Sequence, residues 1–406
     1  MKYGLMKYSY TTNLGNEVQS IAARRFLPKI DYYIEHEQLN LFESPQKVKM
    51  IMNGWYFDCI KSWPPSDSID PLLISMHFNL SRNDTGKILS SPESKDFFST
   101  YGPVGCRDYP TLNLLNELDI DAYYSGCLSL TLESNEPKTD EGYVIVNSFK
   151  YKETMDFLKT KTDLPIYYIS QDTTRSLDKK HLERMPTNYN LTSFYDYNEK
   201  FFFAENLLKI YENARCVITD RVHCALPCLA LKTPVLFFNT SKYEPERFEG
   251  IDKLLLESNL EEYKNNYDLF DVDNPPENSK NYLKIREDLI KKTKGFTGYL
   301  ADSYKLDYDD SEIIKYQTLL FSNTYRETRK YMDGVIDLSR RYESKLSNKD
   351  KIIKDDKKTM KEKENIIKAK DKTIQKQQKI INEMQNSNSW KMTEPLRKIG
   401  RIFRKR

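Results

Sequence analysis

The chain has 406 residues and a formal net charge of +3, with 30% of its residues charged. This length is greater than that of one ordinary domain, so we expect more than one domain. The longest uncharged apolar run is far shorter than the roughly 18 residues of a membrane-spanning helix, which argues against a protein that crosses a bilayer.

Polar residues stand at the ends of two early strand candidates. His77 follows an apolar stretch, and Ser125 and Gly126 follow the strand candidate Ala122–Tyr124. Side chains at the carboxyl ends of strands reach the ligand-binding edge of a parallel sheet. We therefore take these three residues as candidate substrate contacts, although a lone histidine in such a place is more often part of the core. Trp55 could stack against a sugar, but packing is the favoured interpretation.

A polar segment divides the first 310 residues. The sequence ESNEPKTDE at residues 133–141 contains a proline, and a clean strand candidate at residues 143–149 follows it. Composition of this kind indicates a connection between two series of elements. We predict a first domain at residues 1–135 and a second at residues 136–310.

The stretch VITDRVHCALPCLALKTPVLFF at residues 217–238 predicts a strand, a buried helix and a second strand. Pro227 has no N–H and is tolerated only near a helix start, so the helix is predicted to begin at residues 224–226. The residues before it then form a loop at the carboxyl edge of the sheet, where the helix dipole favours an anion.

That loop contains Asp220, Arg221 and His223. Arg221 offers a planar, bidentate donor for phosphate or carboxylate, and His223 can carry or accept a proton near neutral pH. The structural alternative is that Asp220 caps the helix, Arg221 pairs with it and His223 is a buried polar residue. Zinc binding by His223, Cys224 and Cys228 is not expected, because no second cluster supplies the remaining ligands.

The last hundred residues are predicted to be helical and rich in lysine. We expect a helical segment at residues 311–344 and a heptad repeat at residues 345–389. The repeat places five apolar residues at one heptad position: Ile353, Met360, Ile367, Ile374 and Ile381. A coiled coil needs a second apolar position, and here that position holds mostly Lys, Asp or Gln. The sequence leaves open a weak, self-associating coiled coil and a solvated spacer helix.

The tail at residues 390–406 combines apolar residues with seven Lys or Arg and one Glu, a net charge of +6, whereas residues 1–344 carry a net charge of −9. A basic amphipathic segment is typical of helices that lie on an anionic membrane surface. Nucleic acid is not expected as a partner, because the body is acidic. The six cysteines form no Cys-x-x-Cys pair and no signal-like segment opens the chain, so the predicted location is the cytoplasm, peripheral at the inner face of the cell membrane.

Three segments in this order resemble the polysaccharide pyruvyl transferase family: KYGLMKYSYTTNLGNEVQSIAARRFL, GPVGCRDYPTLNLLNELDI and TDRVHCALPCLALKTPVLFF. They resemble the family's opening strand, loop and first helix, its internal Arg-Asp element and its Arg-x-His element. The resemblance covers roughly residues 1–300. It implies an α/β fold of two Rossmann-like domains facing a cleft, a GT-B-like architecture, followed here by the C-terminal helical or coiled-coil extension.

The resemblance also implies an activity. Family members move a pyruvyl group from phosphoenolpyruvate to a sugar of a cell-surface polysaccharide or its precursor, forming a ketal. The matching motifs place donor-binding guanidinium groups at Arg107 and Arg221, and His223 is the candidate catalytic residue for proton transfer. Phosphoenolpyruvate is then a substrate, and no cofactor or metal is expected. Many family members have an Asp-Pro type of sequence near the place of Ser125 and Gly126, so a catalytic acid is not carried over to that position.

The first loop of the resembling region contains Asn13, Gly15 and Asn16. In a doubly wound sheet this loop faces the cleft, so these residues could bind donor or acceptor through side-chain amides and a close backbone approach. Loop geometry alone is an equal alternative, with a positive φ at Gly15 and Asn16 capping the helix.

Two other functions stay open from the sequence. A glycosyltransferase with a nucleotide-sugar donor could use the same cleft, with Arg221 on the diphosphate and His223 assisting the sugar hydroxyl. A non-catalytic scaffold of a glycan assembly complex could use the heptad tract to bind partners. The identity of the donor distinguishes the glycosyltransferase from a pyruvyl transferase. The scaffold hypothesis predicts that the protein keeps its function in cells without His223.

Overall fold

The computed structural model describes residues 1–8, 11, 13–57, 63–137, 142–171, 197–239, 248–305 and 316–397. The chain divides into two compact units, Met1–Lys315 and Tyr316–Arg406. The first unit is an α/β structure with two parallel sheets, which confirms the predicted class, and the second is helical.

The first sheet contains β1 (Lys2–Lys7), β2 (Tyr32–Glu35), β3 (Val48–Tyr56), β4 (Ile69–Phe78), β5 (Val104–Cys106) and β6 (Ala122–Tyr124). They pair in parallel in the order β2-β1-β3-β4-β5-β6. Helices α1 (Gly15–Arg24), α2 (Thr85–Leu89), α3 (Pro92–Tyr101) and α4 (Tyr109–Glu117) accompany them. Ser91 and Asp108 start the last two helices, because each side chain accepts a hydrogen bond from a backbone N–H of the first turn.

The second sheet contains β7 (Val144–Asn147), β8 (Ile166–Tyr168), β9 (Cys216–Thr219), β10 (Val235–Phe238) and β11 (Leu256–Ser258), in the parallel order β11-β10-β9-β7-β8. Its helices are α5 (Tyr151–Leu158), α6 (Tyr197–Asn213), α7 (Val222–Ala230) and α8 (Leu260–Asn265). Every residue of β7, β9 and β10 is buried. Parallel strands that are covered on both faces have side chains buried on both sides, so they appear in the sequence as continuous apolar runs.

The chain returns to the first sheet after β11. Helix α9 (Leu283–Thr297) places Arg286 where its Nη1 donates to the carbonyls of Leu130 and Leu132, and the Ala301 N–H donates to the Arg25 carbonyl at 2.7 Å. We call residues 1–137 the N-terminal half and residues 142–305 the C-terminal half of this unit. Both belong to one compact unit, and the domain boundary at residue 135 stays a prediction. Short 3₁₀ helices lie at His36–Leu41, Leu128–Thr131, Asp252–Leu254 and Tyr267–Phe270.

The second unit contains α10 (Tyr316–Asn386) and α11 (Asn388–Met392). Helix α10 runs without a break through residue 344, where the sequence suggested a division. Residues 311–315 of the predicted helical segment, and 398–406 of the tail, lie outside the described residues. The side chains of the heptad position are exposed: Ile353, Met360, Ile367, Ile374 and Ile381. None of the helices in the described ranges combines the length and the apolar composition of a membrane span.

Candidate active site

Helix α7 begins at Val222, and not at residues 224–226 as predicted, so His223 lies in its first turn rather than in a loop. Pro227 is therefore inside the helix. A proline there cannot donate to the carbonyl four residues earlier, which is that of His223. That carbonyl accepts instead from Nε2 of Gln171 at 2.7 Å, and His223 has a non-helical ψ of 16° that marks a kink.

Asp220 does not cap helix α7. Its Oδ2 accepts from the Ser148 hydroxyl at 2.8 Å and from the Phe149 N–H at 2.7 Å, both in the loop after β7. Burial raises the pKa of Asp220 above its ordinary value, against the lowering effect of these hydrogen bonds. The helix-capping part of the structural alternative is therefore wrong, and Asp220 instead joins the loops that follow two neighbouring strands.

Arg221 stands beside Asp220, with Nε 3.4 Å from Oδ1 of that carboxylate, and its side chain is 29% exposed. The guanidinium lies over the ring of Phe149, 4.0 Å from the ring centroid. An aromatic face and a carboxylate hold the plane of the guanidinium, and the partial exposure leaves it accessible to an anion.

The loop between β1 and α1 packs against His223. A Cβ added to Gly15 would lie 3.1 Å from the His223 Cβ and 3.2 Å from its Nδ1, and 3.0 Å from the Asn13 Oδ1. Gly15 is the first residue of α1 and does not have a positive φ, so that part of the loop-geometry alternative is wrong. Glycine is needed there for the close approach.

The two asparagines of this region lie in different elements, and Asn16 does not have the capping role that loop geometry suggested. The Gly15 N–H donates to Oδ1 of Asn13 at 3.0 Å, whereas Asn16 lies inside α1 and accepts from the Gln19 side chain at 3.4 Å. Asn16 is therefore not the helix cap. Both amides are partly exposed, and their contact with substrate stays a prediction.

Gln171, which sequence reasoning missed, joins this loop to helix α7. Its carbonyl accepts from the Leu14 N–H at 2.9 Å, while its side chain donates to the His223 carbonyl at 2.7 Å. Its position shortly after β8 is the sequence feature that could have indicated it. One residue of the C-terminal half thus fixes both the first loop and the turn that contains His223.

Arg107 follows β5 in the first sheet and is 2% exposed at its side chain. None of the described residues accepts a hydrogen bond from its Nε, which lies 3.4 Å from Oδ2 of Asp108. The guanidinium is 6.0 Å from the Trp55 ring centroid. A buried donor without an acceptor is costly, and an anionic ligand is one group that can satisfy it.

Asp108, the second residue of the Arg-Asp element and one given no role from the sequence, holds the residues around Arg107. Its Oδ2 lies 2.5 Å from Nδ1 of His77, and its Oδ1 accepts from the Thr111 N–H at 3.1 Å. Burial alone would raise the pKa of Asp108, but the charge and hydrogen bond of His77, together with Arg107, lower it to about 2. Its bond to Thr111 is a local helix cap, but His77 is 31 residues away, so that pairing could not be seen in the sequence.

The remaining candidates are placed by packing. His77 is buried and lies against Trp55 with ring centroids 4.2 Å apart, and this tryptophan belongs to β3 rather than to a loop. The Ser125 hydroxyl accepts from the Ser75 N–H at 3.0 Å and donates to the Cys106 carbonyl at 3.0 Å. These contacts are structural, and substrate binding by His77 and Ser125 stays a prediction.

Gly126 has a conformation that only glycine adopts readily. Its φ is +71°, and an added Cβ would lie 2.6 Å from Cγ2 of Ile285 in α9. Its role in the structure is therefore a tight turn beneath α9. Substrate binding by Gly126 stays a prediction.

The family model for polysaccharide pyruvyl transferase matches residues 13–242, more than half of the chain. The chain belongs to the polysaccharide pyruvyl transferase family. It is therefore a member of an enzyme family of transferases, and the matched region contains every predicted site residue from Asn13 to His223. The family name implies a polysaccharide or sugar acceptor. Among the residues that the structure describes, no three His, Cys, Asp or Glu gather as metal ligands.

Two solved structures resemble this member of the family weakly. An uncharacterized protein from Klebsiella pneumoniae subsp. pneumoniae NTUH-K2044 is 13% identical, with a TM-score of 0.36, covering 61% of this chain and 87% of that one. A UDP-N-acetylglucosamine 2-epimerase is 10% identical, with a TM-score of 0.35, covering 80% of this chain and 97% of that one. Neither similarity carries a conclusion about this chain. A search of curated protein sequences found no match.

Proposed function

We propose that this polysaccharide pyruvyl transferase takes its pyruvyl group from phosphoenolpyruvate and forms a cyclic ketal on a sugar of a cell-surface polysaccharide or its precursor. The observation that carries the proposal is the buried Arg107, whose Nε has no acceptor within the described part of the chain. Phosphoenolpyruvate has a carboxylate and a phosphate, two groups that guanidinium binds well. Arg107 would hold one and Arg221, supported by Phe149, would hold the other.

The reaction needs one proton delivered and two removed. The methylene carbon of the donor gains a proton and becomes a methyl group, and a sugar hydroxyl adds to the neighbouring carbon with loss of its proton. The carbon–oxygen bond to phosphate then breaks, releasing inorganic phosphate, and a second hydroxyl of the sugar adds with loss of its proton. His223 is the proposed proton carrier, because an imidazole can act as acid and base near neutral pH.

A GT-B-like cleft is the proposed setting of this reaction. Arg107 follows a strand of the first sheet and Arg221 a strand of the second, and ligands of parallel sheets bind beyond the carboxyl ends of strands. The packing of Gly15 against His223 supports the idea that the two edges meet at one site.

Donor binding to the full chain tests the proposal. Phosphoenolpyruvate is expected to raise the melting temperature of the wild-type protein, whereas nucleotides and nucleotide sugars are not. The shift is expected to disappear in Arg107→Ala and Arg221→Ala. Stabilisation by a nucleotide sugar alone would contradict the proposal and favour the glycosyltransferase.

We also propose that the tail at residues 390–406 binds an anionic membrane surface. Trp390, Met392 and Leu396 are exposed, and the Arg397 guanidinium stacks 3.7 Å from the Trp390 ring centroid. Sedimentation with anionic liposomes is expected to fall on deletion of this tail and in high salt. Equal sedimentation with neutral liposomes would contradict the proposal.

Self-association through residues 345–389 is a separate proposal. The exposed heptad residues could pack against those of a second copy, despite the polar partner positions. Analytical ultracentrifugation of wild type and Ile367→Lys tests it. A dimer that Ile367→Lys dissociates is expected, and a wild-type monomer at all concentrations would exclude it.

A further inference from the structure

The loop between β1 and α1 is held from the opposite half of the protein. It leads into Gly15, the first residue of α1, which lies against His223 and whose N–H donates to Oδ1 of Asn13 in the loop. A loop gains little from regular backbone hydrogen bonds, so its position depends on contacts with other parts of the chain. The position of Gly15 against His223 therefore depends on what anchors the loop.

Lys200 supplies such an anchor. It lies near the start of α6 in the C-terminal half and is 4% exposed at its side chain. Its Nζ lies 2.6 Å from Oε1 of Glu17, donates to the Thr11 carbonyl at 2.9 Å, and donates to the Tyr8 carbonyl. Tyr8 and Thr11 belong to the loop, and Glu17 lies in the first turn of α1.

An ammonium group has three donors, and here each has an acceptor. Charge-assisted hydrogen bonds are stronger than neutral ones, above all where water is excluded. A buried ion pair contributes little net stability compared with an apolar pair of similar volume, so its geometry is the more informative feature. Lys200, in α6 of the C-terminal half, binds two loop carbonyls and a carboxylate of α1, all in the N-terminal half.

We propose that Lys200 is a positioning residue of the transferase, which fixes the β1–α1 loop so that Gly15, bonded to Asn13 of that loop, stays against His223. The proposal rests on the proposed function, since it assigns Lys200 to the same site. It does not require Lys200 to touch a substrate. Supporting groups that lock a reactive side chain in place affect turnover through small displacements, which can lower rates by about 10-fold to 100-fold.

The test variant is Lys200→Met, which keeps the length of the side chain and removes its charge and donors. Arg286→Met is the matched control, because Arg286 also donates to two backbone carbonyls, those of Leu130 and Leu132, and pairs with Glu133, away from the loop. Both variants remove a largely buried cation that bridges the two halves. Lys200→Gln, which keeps two amide donors, provides a milder change should the methionine variant fail to fold.

Two measurements on the full chain are compared. Hydrogen exchange of the amides of residues 13–16 reports on the loop without any substrate, and steady-state kinetics with phosphoenolpyruvate reports on the reaction. In Lys200→Met we expect exchange at least about 10-fold faster and kcat at least about 10-fold lower, with a smaller change in donor KM. Arg286→Met should leave both within about twofold of wild type, at a similar loss of melting temperature.

The outcomes separate the two proposals. Wild-type exchange in residues 13–16 of Lys200→Met or Lys200→Gln would overturn the positioning role, whatever the activity. Faster exchange with unchanged kcat would also overturn it. Faster exchange in a protein that transfers nothing from phosphoenolpyruvate would uphold the anchor and reject the proposed donor.

Discussion

The side-chain amide of Gln171 donates to the main-chain carbonyl of His223 at 2.7 Å. Pro227 makes this bond available, because it leaves that carbonyl without its helical partner. The same glutamine accepts from the Leu14 N–H through its own carbonyl. A helix-breaking residue in α7 is thus the reason that a neighbouring loop can hold the turn containing His223.

Gln171→Met is expected to lower kcat strongly and the free energy of unfolding only modestly. The change leaves the His223 carbonyl without its donor, at a cost of about 1–2 kcal/mol in the free energy of unfolding. Asn278→Leu is the control, because the Asn278 amide bonds the Thr233 carbonyl and the Val235 N–H away from the site. Urea unfolding and kcat are measured for both. An equal loss of kcat in the two variants would contradict a specific role for Gln171.

Gly15→Ala is expected to impair activity with little loss of stability. The new methyl group would meet His223 at 3.1 Å and push it by a few tenths of an ångström, while alanine favours the helix that begins there. We expect kcat to fall about 10-fold.

Gly295→Ala is the matched control for that change. Gly295 lies inside α9, and an added Cβ would meet no described residue within 4 Å. Its replacement should raise the free energy of unfolding by about 0.5–1 kcal/mol and leave kcat unchanged. If Gly15→Ala has wild-type kcat, the close approach to His223 is not needed for the reaction.

Arg221→Lys is expected to lose most activity although it keeps the charge. Lysine replaces a planar, bidentate donor stacked on Phe149 by a point charge, so kcat/KM should fall at least about 10-fold. Arg82→Lys is the control, because Arg82 forms a partly exposed pair with Asp84, and it should leave kcat/KM unchanged. Near-normal kcat/KM in Arg221→Lys would remove this arginine from the donor site.

Asp108→Asn is expected to change the pH dependence of stability. The pKa of Asp108 is about 2 in the folded protein against an ordinary value of 3.8. This carboxylate therefore stabilises the folded state above pH 3.8 and loses roughly 2 kcal/mol as the pH falls toward its folded pKa. Asparagine can still cap α4, so the charge is the main change.

Urea unfolding of wild type and Asp108→Asn from pH 7 to pH 2 tests this. The difference in the free energy of unfolding between the two proteins should shrink as the pH falls below about 4. A difference that does not change with acid would show that Asp108 contributes nothing through its charge.

The elements that the sequence predicted well are those with local signals. The apolar runs of β7, β9 and β10 are buried on both faces, and such strands need no distant partner to be recognised. The motifs around Arg107 and Arg221 identified the family, which the match over residues 13–242 confirms.

The errors concern residues whose role depends on contacts distant in the chain. Pro227 suggested that the helix begins later than it does. The His223 carbonyl that this proline leaves without a helical donor is bonded by Gln171, which lies in another loop and could not be identified from the local sequence. Gly15 suggested a positive φ, because its neighbour His223 is more than 200 residues away in sequence. Asp220 suggested a helix cap, yet its partners Ser148 and Phe149 follow a different strand.

Calorimetric binding of phosphoenolpyruvate to wild type, Arg107→Ala, Arg221→Ala and the double variant tests most directly whether the two arginines hold one donor. Each single change is expected to weaken binding at least about 10-fold, since each removes a charge-assisted contact. The double variant should show no measurable binding. Wild-type affinity in either single variant, or no binding by the wild-type protein, would contradict the account.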